Sequence, residues 1–329
     1  MVELGNFLNS GASELEKAAE EAYSRNPWFT KENVFQSLNA IAENYLKEEV
    51  IRKWLNSYDV GSGKDRSVGI VMAGNIPLVG FHDLLCTFIC GYRTLIKCSS
   101  KDEVLIGLIQ EKMSSIDARC EDLVTKVELL KDFDYVIATG GNTAAKHFKS
   151  YFKDKPNLIR KNRTSVAVLR GDESNDDLIN LGSDVFTYFG LGCRSVSKLY
   201  LPRDFKLDRL FEAFYDFKDV INHNKYKNNY DYNHAIYLLG KDLFHTNDFI
   251  VLREDPSLAS RIASLHYEYY NTLPGLSEHL IEIGNDLQCI SSKEPINGIP
   301  TIPFGQCQNP SIDDYADGMD TMQFLLSID

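Results

Sequence analysis

The sequence lacks an excess of basic residues, a long apolar run and an export leader. Its 329 residues include 35 Lys and Arg against 47 Asp and Glu, which gives a formal net charge of −12. This balance argues against a nucleic-acid partner. No apolar run approaches the ~20 residues that a membrane-spanning helix needs. Residues 1–6 carry neither the basic region nor the apolar core of a signal peptide, so we expect a cytoplasmic protein.

The sequence also lacks the cysteine spacing of a disulfide framework or a zinc site. Its seven cysteines are odd in number and irregularly placed. In a chain of this size without an export signal, they are typical of reduced thiols. Cys86 and Cys90 are four residues apart, but no second Cys or His pair with zinc spacing accompanies them. We therefore predict no metal site.

A Gly-x-Gly-x-x-Gly dinucleotide fingerprint is absent as well. Residues 60–65 contain Gly-Ser-Gly-Lys, which resembles the end of a phosphate-binding loop. However, this stretch precedes a predicted strand instead of following one, and no helix pattern opens after it. We interpret it as a plain loop.

The sequence does contain an alternation of strand and helix patterns behind a helical N-terminal region. Such alternation predicts α/β structure with parallel sheets, and the chain length predicts two domains. We expect helices over residues 13–23, 31–54, 79–90, 102–114, 142–152, 176–189, 207–220 and 257–270, and strands over residues 67–73, 94–97, 135–138, 164–169, 196–201, 234–239 and 249–252.

The most distinctive stretch is Phe189-Gly-Leu-Gly-Cys193-Arg-Ser195, which lies between a predicted helix and a predicted strand. Its two glycines permit a sharp turn and leave space for a ligand. Cys193 is a candidate nucleophile there, because a thiolate is the most nucleophilic side chain near neutral pH. The alternative is a buried cysteine that acts as a small hydrophobe.

Three further loops follow predicted strands, where ligands collect in open parallel sheets. Asn75 lies just beyond the first strand and could donate its amide to an anion. The second loop offers the ammonium groups of Lys97 and Lys101 and the hydroxyl of Ser100. In the third, Thr139-Gly140-Gly141 leads into a helix whose N-terminal amides suit a phosphate. Taken alone, loops of these kinds are usually ordinary turns.

In this order, the segments resemble the aldehyde dehydrogenase superfamily, most closely its acyl-CoA and acyl-protein thioester reductase branch. Residues 67–77 resemble the strand that leads to the family's Asn-x-Pro motif, and residues 96–100 resemble its Lys-Pro-Ser-Glu loop. Residues 135–141 resemble its Phe-Thr-Gly-Ser turn, and residues 190–193 resemble its Gly-Gln-x-Cys nucleophile motif. The resemblance continues more weakly to Pro303-Phe-Gly305.

The resemblance implies an aldehyde dehydrogenase-like fold of two α/β domains with mainly parallel sheets and a cleft between them. Residues 1–163 would form N-terminal helices and the nicotinamide dinucleotide domain. Residues 164–299 would form the catalytic domain that carries Cys193. Residues 300–329 would return to the cofactor domain or to an oligomer interface.

The resemblance also implies a role for each loop. Cys193 would attack a thioester or aldehyde carbonyl. The Asn75 amide and the Cys193 backbone N–H would hold the resulting oxyanion. Lys97 would bind the adenosine ribose, and Thr139, Gly140 and Gly141 would lie near the pyrophosphate. Glu254 is a weaker match to the family's nicotinamide-ribose Glu.

Two departures from the family pattern are informative. Ile159 occupies the position of the general-base Glu, and Ile cannot activate water, so a thioacyl enzyme would be protected from hydrolysis. Ser100 replaces the Glu that would bind both ribose hydroxyls, and Lys101 adds a positive charge. Both changes relieve repulsion against a 2′-phosphate, which favours NADP(H) over NAD(H).

We therefore predict NADPH-dependent reduction of an acyl thioester to an aldehyde, with acyl-CoA or an acylated carrier or synthetase protein as donor. A cysteine acyltransferase or thioesterase without nicotinamide is one alternative, and a non-catalytic partner-binding subunit is another. The family's oligomerisation hairpin is missing before Ser67, and only residues 321–327 could serve as an added strand. The sequence therefore leaves open whether the protein forms a homo-oligomer. We expect His147 to face solvent and assign no role to His223 or His234.

Overall fold

The computed structural model describes residues 1–61 and 65–327, so most of the Gly-Ser-Gly-Lys stretch in the predicted loop lies outside the described residues. The chain divides into two compact units. One comprises Met1–Asn162 and Pro310–Asp329, and the other comprises Arg163–Asn309. Among the described residues, no helix combines the length and apolar character needed to cross a bilayer.

The first unit is built on a five-stranded parallel sheet of order β3-β2-β1-β4-β5. Its elements are α1 (Val2–Leu8), α2 (Ser13–Arg25), α3 (Lys31–Tyr45), α4 (Glu48–Leu55), β1 (Ser67–Val71), α5 (Phe81–Ile89), β2 (Arg93–Lys97), α6 (Glu103–Ile116), α7 (Cys120–Leu123), β3 (Val124–Lys126), β4 (Tyr135–Thr139), α8 (Asn142–Tyr151) and β5 (Asn157–Arg160).

Both faces of this sheet are covered, which explains the continuous apolar runs of its strands. Val68 and Ile70 of β1 belong to a large buried cluster that includes the N-terminal helices. Val136 and Ala138 of β4 face the other way, into a smaller cluster with Phe152. Because β1 pairs in parallel with both β2 and β4, the carboxyl ends of these three strands lie at the same edge of the sheet.

The second unit has a six-stranded sheet of order β11-β6-β7-β10-β9-β8, in which only β8 is antiparallel to its neighbour. Its elements are β6 (Thr164–Val168), α9 (Asn175–Phe186), β7 (Val196–Pro202), α10 (Asp208–Phe214), α11 (Asn224–Gly240), β8 (Phe244–Thr246), β9 (Val251–Glu254), β10 (Ser264–Tyr270), α12 (Leu273–Glu282) and β11 (Leu287–Ser292). Residues Thr187–Gly190 and Tyr215–Asn222 form 3-10 turns.

The last segment returns to the first unit as α13 (Thr321–Ser327), after a 3-10 turn at Ala316–Gly318. Arg160, at the end of β5, donates one hydrogen bond to Asp83 of α5 and another, of 2.6 Å, to the Thr321 hydroxyl. The side chains of Arg160 and Asp83 are only 3% and 7% exposed. This buried polar cluster joins three elements that are distant in sequence.

The α/β fold class is confirmed, but several predicted elements are wrong in type or extent. Residues 234–239, predicted as a strand, end α11, whose buried side chains Tyr226, Tyr230, Asn233 and Tyr237 recur at helical spacing. Residues 264–270, predicted as helix, form the central strand β10, because it pairs with both β7 and β9. Residues 321–327 form a helix, since the buried Met322 and Leu325 lie three positions apart.

Three predicted helices are interrupted or shorter than expected. The helix predicted over 207–220 ends at Phe214 and continues as a 3-10 turn. Residues 31–54 form two helices that break at Leu46 and Lys47. The helix predicted over 176–189 ends at Phe186, where the backbone enters a left-handed turn.

Candidate active site

The segment before Cys193 has an unusual backbone. Tyr188 and Phe189 adopt φ values of 54° and 57°, and Gly190 follows at 73°. Only glycine adopts this left-handed region freely, so the two aromatic residues require support from their surroundings. Tyr188 is buried, and the Phe189 ring stacks on the His223 ring at 4.4 Å between centroids. The turn therefore has a fixed shape.

Cys193 sits between this turn and β7, and it is half-buried. Its carbonyl accepts a 2.8 Å hydrogen bond from the Oγ of Ser165, a fully buried residue of β6. The Ser195 N–H donates to the Gly192 carbonyl at 3.0 Å. The backbone on each side of Cys193 is thus anchored, and the residue as a whole is only partly buried. Cys86, Cys90, Cys98, Cys120 and Cys307 are buried, as a purely hydrophobic role requires.

A buried carboxylate, which sequence reasoning missed, holds the Pro303-Phe-Gly305 loop within the same unit. Asp184 of α9 accepts hydrogen bonds from the N–H groups of Gly305 and Cys307, at 2.8 and 2.9 Å. It also accepts one from the Ser291 hydroxyl at 3.2 Å. Burial raises the pKa of the Asp184 carboxyl. The sequence did offer one sign that Asp184 is buried, because this acidic residue lies beside Leu181 and Val185 on an apolar helix face.

In the first unit, the loop that carries Asn75 follows β1 and is held on two sides. The Ser37 hydroxyl donates to the Pro77 carbonyl at 2.8 Å. The Leu78 N–H donates to the Asp102 carboxylate at 2.7 Å. Asn75 is exposed at the tip of this loop. Its position at the carboxyl end of a strand suits a group that approaches from solvent.

Asp102 is a second residue that sequence reasoning missed. It precedes α6, follows the Ser100-Lys101 pair and is buried, which raises the pKa of its carboxyl well above the usual value. Because it accepts the Leu78 N–H, it joins the loop after β2 to the loop after β1. Its place at the first position of the predicted helix 102–114, near the end where Asp is a favoured cap, was a usable signal.

The loop after β2 separates its three predicted ligand groups. Lys97, the last residue of β2, is half-buried and borders a cavity described below. Ser100 and Lys101 are exposed and do not line that cavity. Their placement leaves both side chains accessible from solvent at the sheet edge.

The third loop has the shape expected of an anion site. Thr139 ends β4, and Gly140 and Gly141 lead into α8. A Cβ at Gly140 would lie 3.0 Å from the Cβ of Ala144, so a larger residue would crowd the helix. Around Gly141 the described residues leave open space, and none of their side chains caps the helix. The first-turn amides of α8 are therefore oriented toward a potential anion.

A cavity of about 700 Å³ opens beside α8 within the first unit. Its lining is mostly apolar with a few polar groups, as is usual for cofactor sites. The lining residues are Val71, Lys97, Leu129, Leu130, His147, Phe148, Ser150, Tyr151 and Phe152. His147 is exposed, as predicted, but it also borders this cavity.

Ile159 lies in β5 opposite Ala138 and packs against the apolar cluster that contains Phe152. Glu254 ends β9 and is exposed. His223 stacks on Phe189 and so supports the nucleophile turn, a contact that the sequence did not reveal.

The chain has the fold of the aldehyde dehydrogenases. An indole-3-acetaldehyde dehydrogenase of P. syringae is similar with a TM-score of 0.60 at 15% identity, over 88% of this chain and 70% of that chain. Aldehyde dehydrogenase 21 of Physcomitrella patens is similar with a TM-score of 0.63 at 11% identity, over 95% of this chain and 82% of that chain. An engineered glycolyl-CoA reductase with bound NADP+ is similar with a TM-score of 0.59 at 13% identity, over 88% of this chain and 76% of that chain.

Among curated proteins, the chain is similar to long-chain acyl-protein thioester reductase 2 of Photobacterium leiognathi. The alignment runs over 210 positions at 24% identity, and it covers 56% of this chain and 43% of the relative. The chain thus spans less than half of that relative's length. No family model matches the sequence. The resemblance to the thioester reductase branch, which the motifs indicated, is confirmed by this relative.

Proposed function

We propose that this chain is an oxidoreductase that reduces an acyl thioester to an aldehyde through a thioacyl enzyme on Cys193. The observation that carries the proposal is the position of the partly buried Cys193 just after a left-handed turn, with its backbone anchored by Ser165. The named activity of the curated relative supports the thioester substrate. The aldehyde dehydrogenase fold supports the aldehyde product.

In the proposed reaction, the Cys193 thiolate attacks the acyl carbonyl and forms a carbon–sulfur bond. The tetrahedral oxyanion accepts hydrogen bonds from the Cys193 N–H and the Asn75 amide, a type of donor typically worth about 3–4 kcal/mol in the transition state. The donor thiolate then leaves and takes up a proton. After reduction of the thioacyl carbon, the thiohemiacetal collapses to aldehyde and regenerates the Cys193 thiolate.

We propose NADP(H) as the redox cofactor, whose reduced nicotinamide supplies the hydride when it is bound. The cavity beside α8 fits an adenosine moiety, because it pairs apolar walls such as Leu130 and Phe148 with the ammonium of Lys97. The first-turn amides of α8 fit the pyrophosphate. Ser100 and Lys101 favour a 2′-phosphate, since neither repels it. Solved neighbours hold NAD+ or NADP+.

The proposed direction of the reaction, from thioester to aldehyde, follows from the absence of a carboxylate at residue 159. Ile159 packs in an apolar cluster, where it offers no base to water. A thioacyl group on Cys193 would therefore persist until hydride arrives. We propose that an acylated protein delivers the acyl group, because the curated relative is named for such a substrate.

The test compares wild type with Cys193→Ala and with Cys120→Ala, a matched control at a buried cysteine outside the proposed site. Each protein receives acyl-CoA or acylated carrier protein, and NADPH loss and aldehyde release are measured. We expect Cys193→Ala to lose activity by roughly 10³-fold or more, and Cys120→Ala to retain it. Residual turnover of a few per cent in folded Cys193→Ala would remove Cys193 from the role of nucleophile. Acid release without NADPH would identify a thioesterase instead.

A further inference from the structure

The loop that carries Asn75 has a backbone shape that needs support. The exposed Asn75 lies between the buried Gly74 on one side and the buried Pro77 and Leu78 on the other. Leu78 adopts a φ of 55°, a left-handed conformation that a bulky residue rarely takes. Such a conformation persists only where the surroundings hold it. The placement of the Asn75 amide therefore depends on the contacts that hold Leu78.

A side-chain hydrogen bond holds the backbone of Leu78. Its N–H donates to the Asp102 carboxyl at 2.7 Å, and both residues are only 3% exposed. Because the local dielectric is low at a buried site, this bond is stronger than the same bond in water. The other carboxyl oxygen of Asp102 has no hydrogen-bond partner among the described residues. Burying a carboxyl with an unused acceptor oxygen is unfavourable, so stability alone does not account for Asp102.

The segment that carries Asp102 lies directly against the Asn75 loop. The Asp102 N–H donates to the Ser99 carbonyl at 3.0 Å, and Asp102 leads into α6. A Cβ at Gly74 would lie 2.7 Å from the Ser99 Cβ, so the two loops are in close contact. The Asp102 carboxyl therefore reaches Leu78 from a segment whose own backbone is anchored.

We propose that Asp102 is a positioning residue that places the Asn75 amide by holding the backbone of Leu78. The bond needs an acceptor oxygen, which a carboxyl offers in either protonation state. Asn at position 102 would offer the same acceptor, whereas Ala would offer none. The consequence for catalysis rests on the role proposed for Asn75, but the effect on the loop does not.

Amide hydrogen exchange, measured without substrate, tests whether Asp102 holds the loop. We expect Asp102→Ala to speed the exchange of the Leu78 amide about 10- to 100-fold, the factor that a hydrogen bond to a carboxylate typically represents. Asp102→Asn should recover most of the protection, because its carboxamide oxygen can accept the same bond.

Asp134→Ala is the matched control. The Asp134 carboxyl accepts the Ser67 N–H at 2.8 Å, at the opposite end of β1 from the Asn75 loop. The control therefore removes the same kind of bond from the same strand. It should leave the exchange of the Leu78 amide unchanged.

Steady-state kinetics test the consequence for Asn75. Asp102→Ala should lower kcat by about 10- to 100-fold with little change in KM, and Asp102→Asn should recover most of that loss. In an Asn75→Ala background, Asp102→Ala should cause a further loss of no more than about twofold, since the amide that it places is gone. A merely structural role for Asp102 would add its full effect in that background.

Equal exchange of the Leu78 amide in Asp102→Ala and the wild type overturns the proposal, and so does full additivity of the two kinetic losses. If Asn75→Ala leaves kcat unchanged, the oxyanion role of Asn75 is wrong, and the exchange measurement alone decides whether Asp102 holds the loop. If Asp102→Ala does not fold, the wild type decides the question. A Leu78 amide that is not protected from exchange there overturns the proposal.

Discussion

Removing the carboxylate of Asp83 should strongly destabilise the first unit. Asp83→Ala leaves the Arg160 guanidinium charged, because Arg is not deprotonated in proteins. The guanidinium is 3% exposed, so water cannot replace the lost partner without opening the core. Only the Thr321 hydroxyl would remain as an acceptor of its hydrogen bonds among those described.

The expected loss in the free energy of unfolding is about 3–5 kcal/mol, the range for breaking one half of a buried ion pair. Asp83→Asn keeps an acceptor oxygen and should lose less, about 1–3 kcal/mol. The double variant Asp83→Ala with Arg160→Met removes both charges. It should recover most of the loss, because a buried pair replaced by apolar groups is often neutral.

The assay is a urea titration followed by tryptophan fluorescence. Both tryptophans, Trp28 and Trp54, belong to the first unit, so the signal reports on that unit. Urea is uncharged and does not screen the ion pair. For an m-value of ~2 kcal/mol/M, a loss of about 4 kcal/mol lowers the midpoint by about 2 M. Glu21→Ala is the control within the same unit, because the side chains of the Glu21–Arg25 pair are 55% and 52% exposed.

A midpoint for Asp83→Ala that matches the Glu21→Ala control would refute the reasoning. It would mean that Arg160 finds solvent or another partner without cost. A double variant that is less stable than Asp83→Ala would contradict it as well, since the charge left alone would then not be the source of the loss.

Four further predictions concern residues of the first unit. Asn75→Ala should lower kcat by about 10²–10³ with little change in KM; a KM effect alone would indicate substrate binding instead. Ser100→Glu should shift the ratio of kcat/KM values from NADPH toward NADH, and a wild type that already prefers NADH would contradict the cofactor proposal. Ile159→Glu should introduce slow release of free acid from an acyl thioester without NADPH. The gain should lie at the low end of the 10²–10⁴-fold range for general bases and should rise with pH. Equal release by both proteins would show that residue 159 does not face the thioester. Asp102→Asn should flatten the pH dependence of the urea midpoint. Burial raises the pKa of the Asp102 carboxyl in the folded state above the usual 3.8, so the unfolded chain releases this proton first and the stability of the wild type falls as pH rises from about 4. An equally steep fall in the variant would refute this.

The sheet of the first unit was predictable because its strands are short apolar runs followed by glycine or polar loops. Residues 67–71 and 135–139 are buried on both faces, and such runs stand out from a helical background. Residues 264–270 were less distinct. They mix Leu, His and Tyr, and without knowledge of the neighbouring strands the run fits a helix equally well.

The loops of the candidate site were visible in the sequence, but the contacts that hold them were not. Glycines 190 and 192 mark a turn beside Cys193, whereas the positive φ values of Tyr188 and Phe189 depend on tertiary contacts with residues such as His223. Asp102 and Asp184 support loops through backbone N–H groups that are distant in sequence. Pattern and propensity carry no information about such pairings.

The discontinuity of the first unit has a consequence for synthesis on the ribosome. Its residues up to Asn162 emerge first, but those from Pro310 onward follow only after the whole second unit. At ~5–20 residues per second, this delay is about 7–30 s. During that time Asp83 and Arg160 lack Thr321, and the core lacks Met322 and Leu325. The second unit can therefore finish folding before the first. During this delay the incomplete first unit is the part of the nascent chain most exposed to chaperones and proteases.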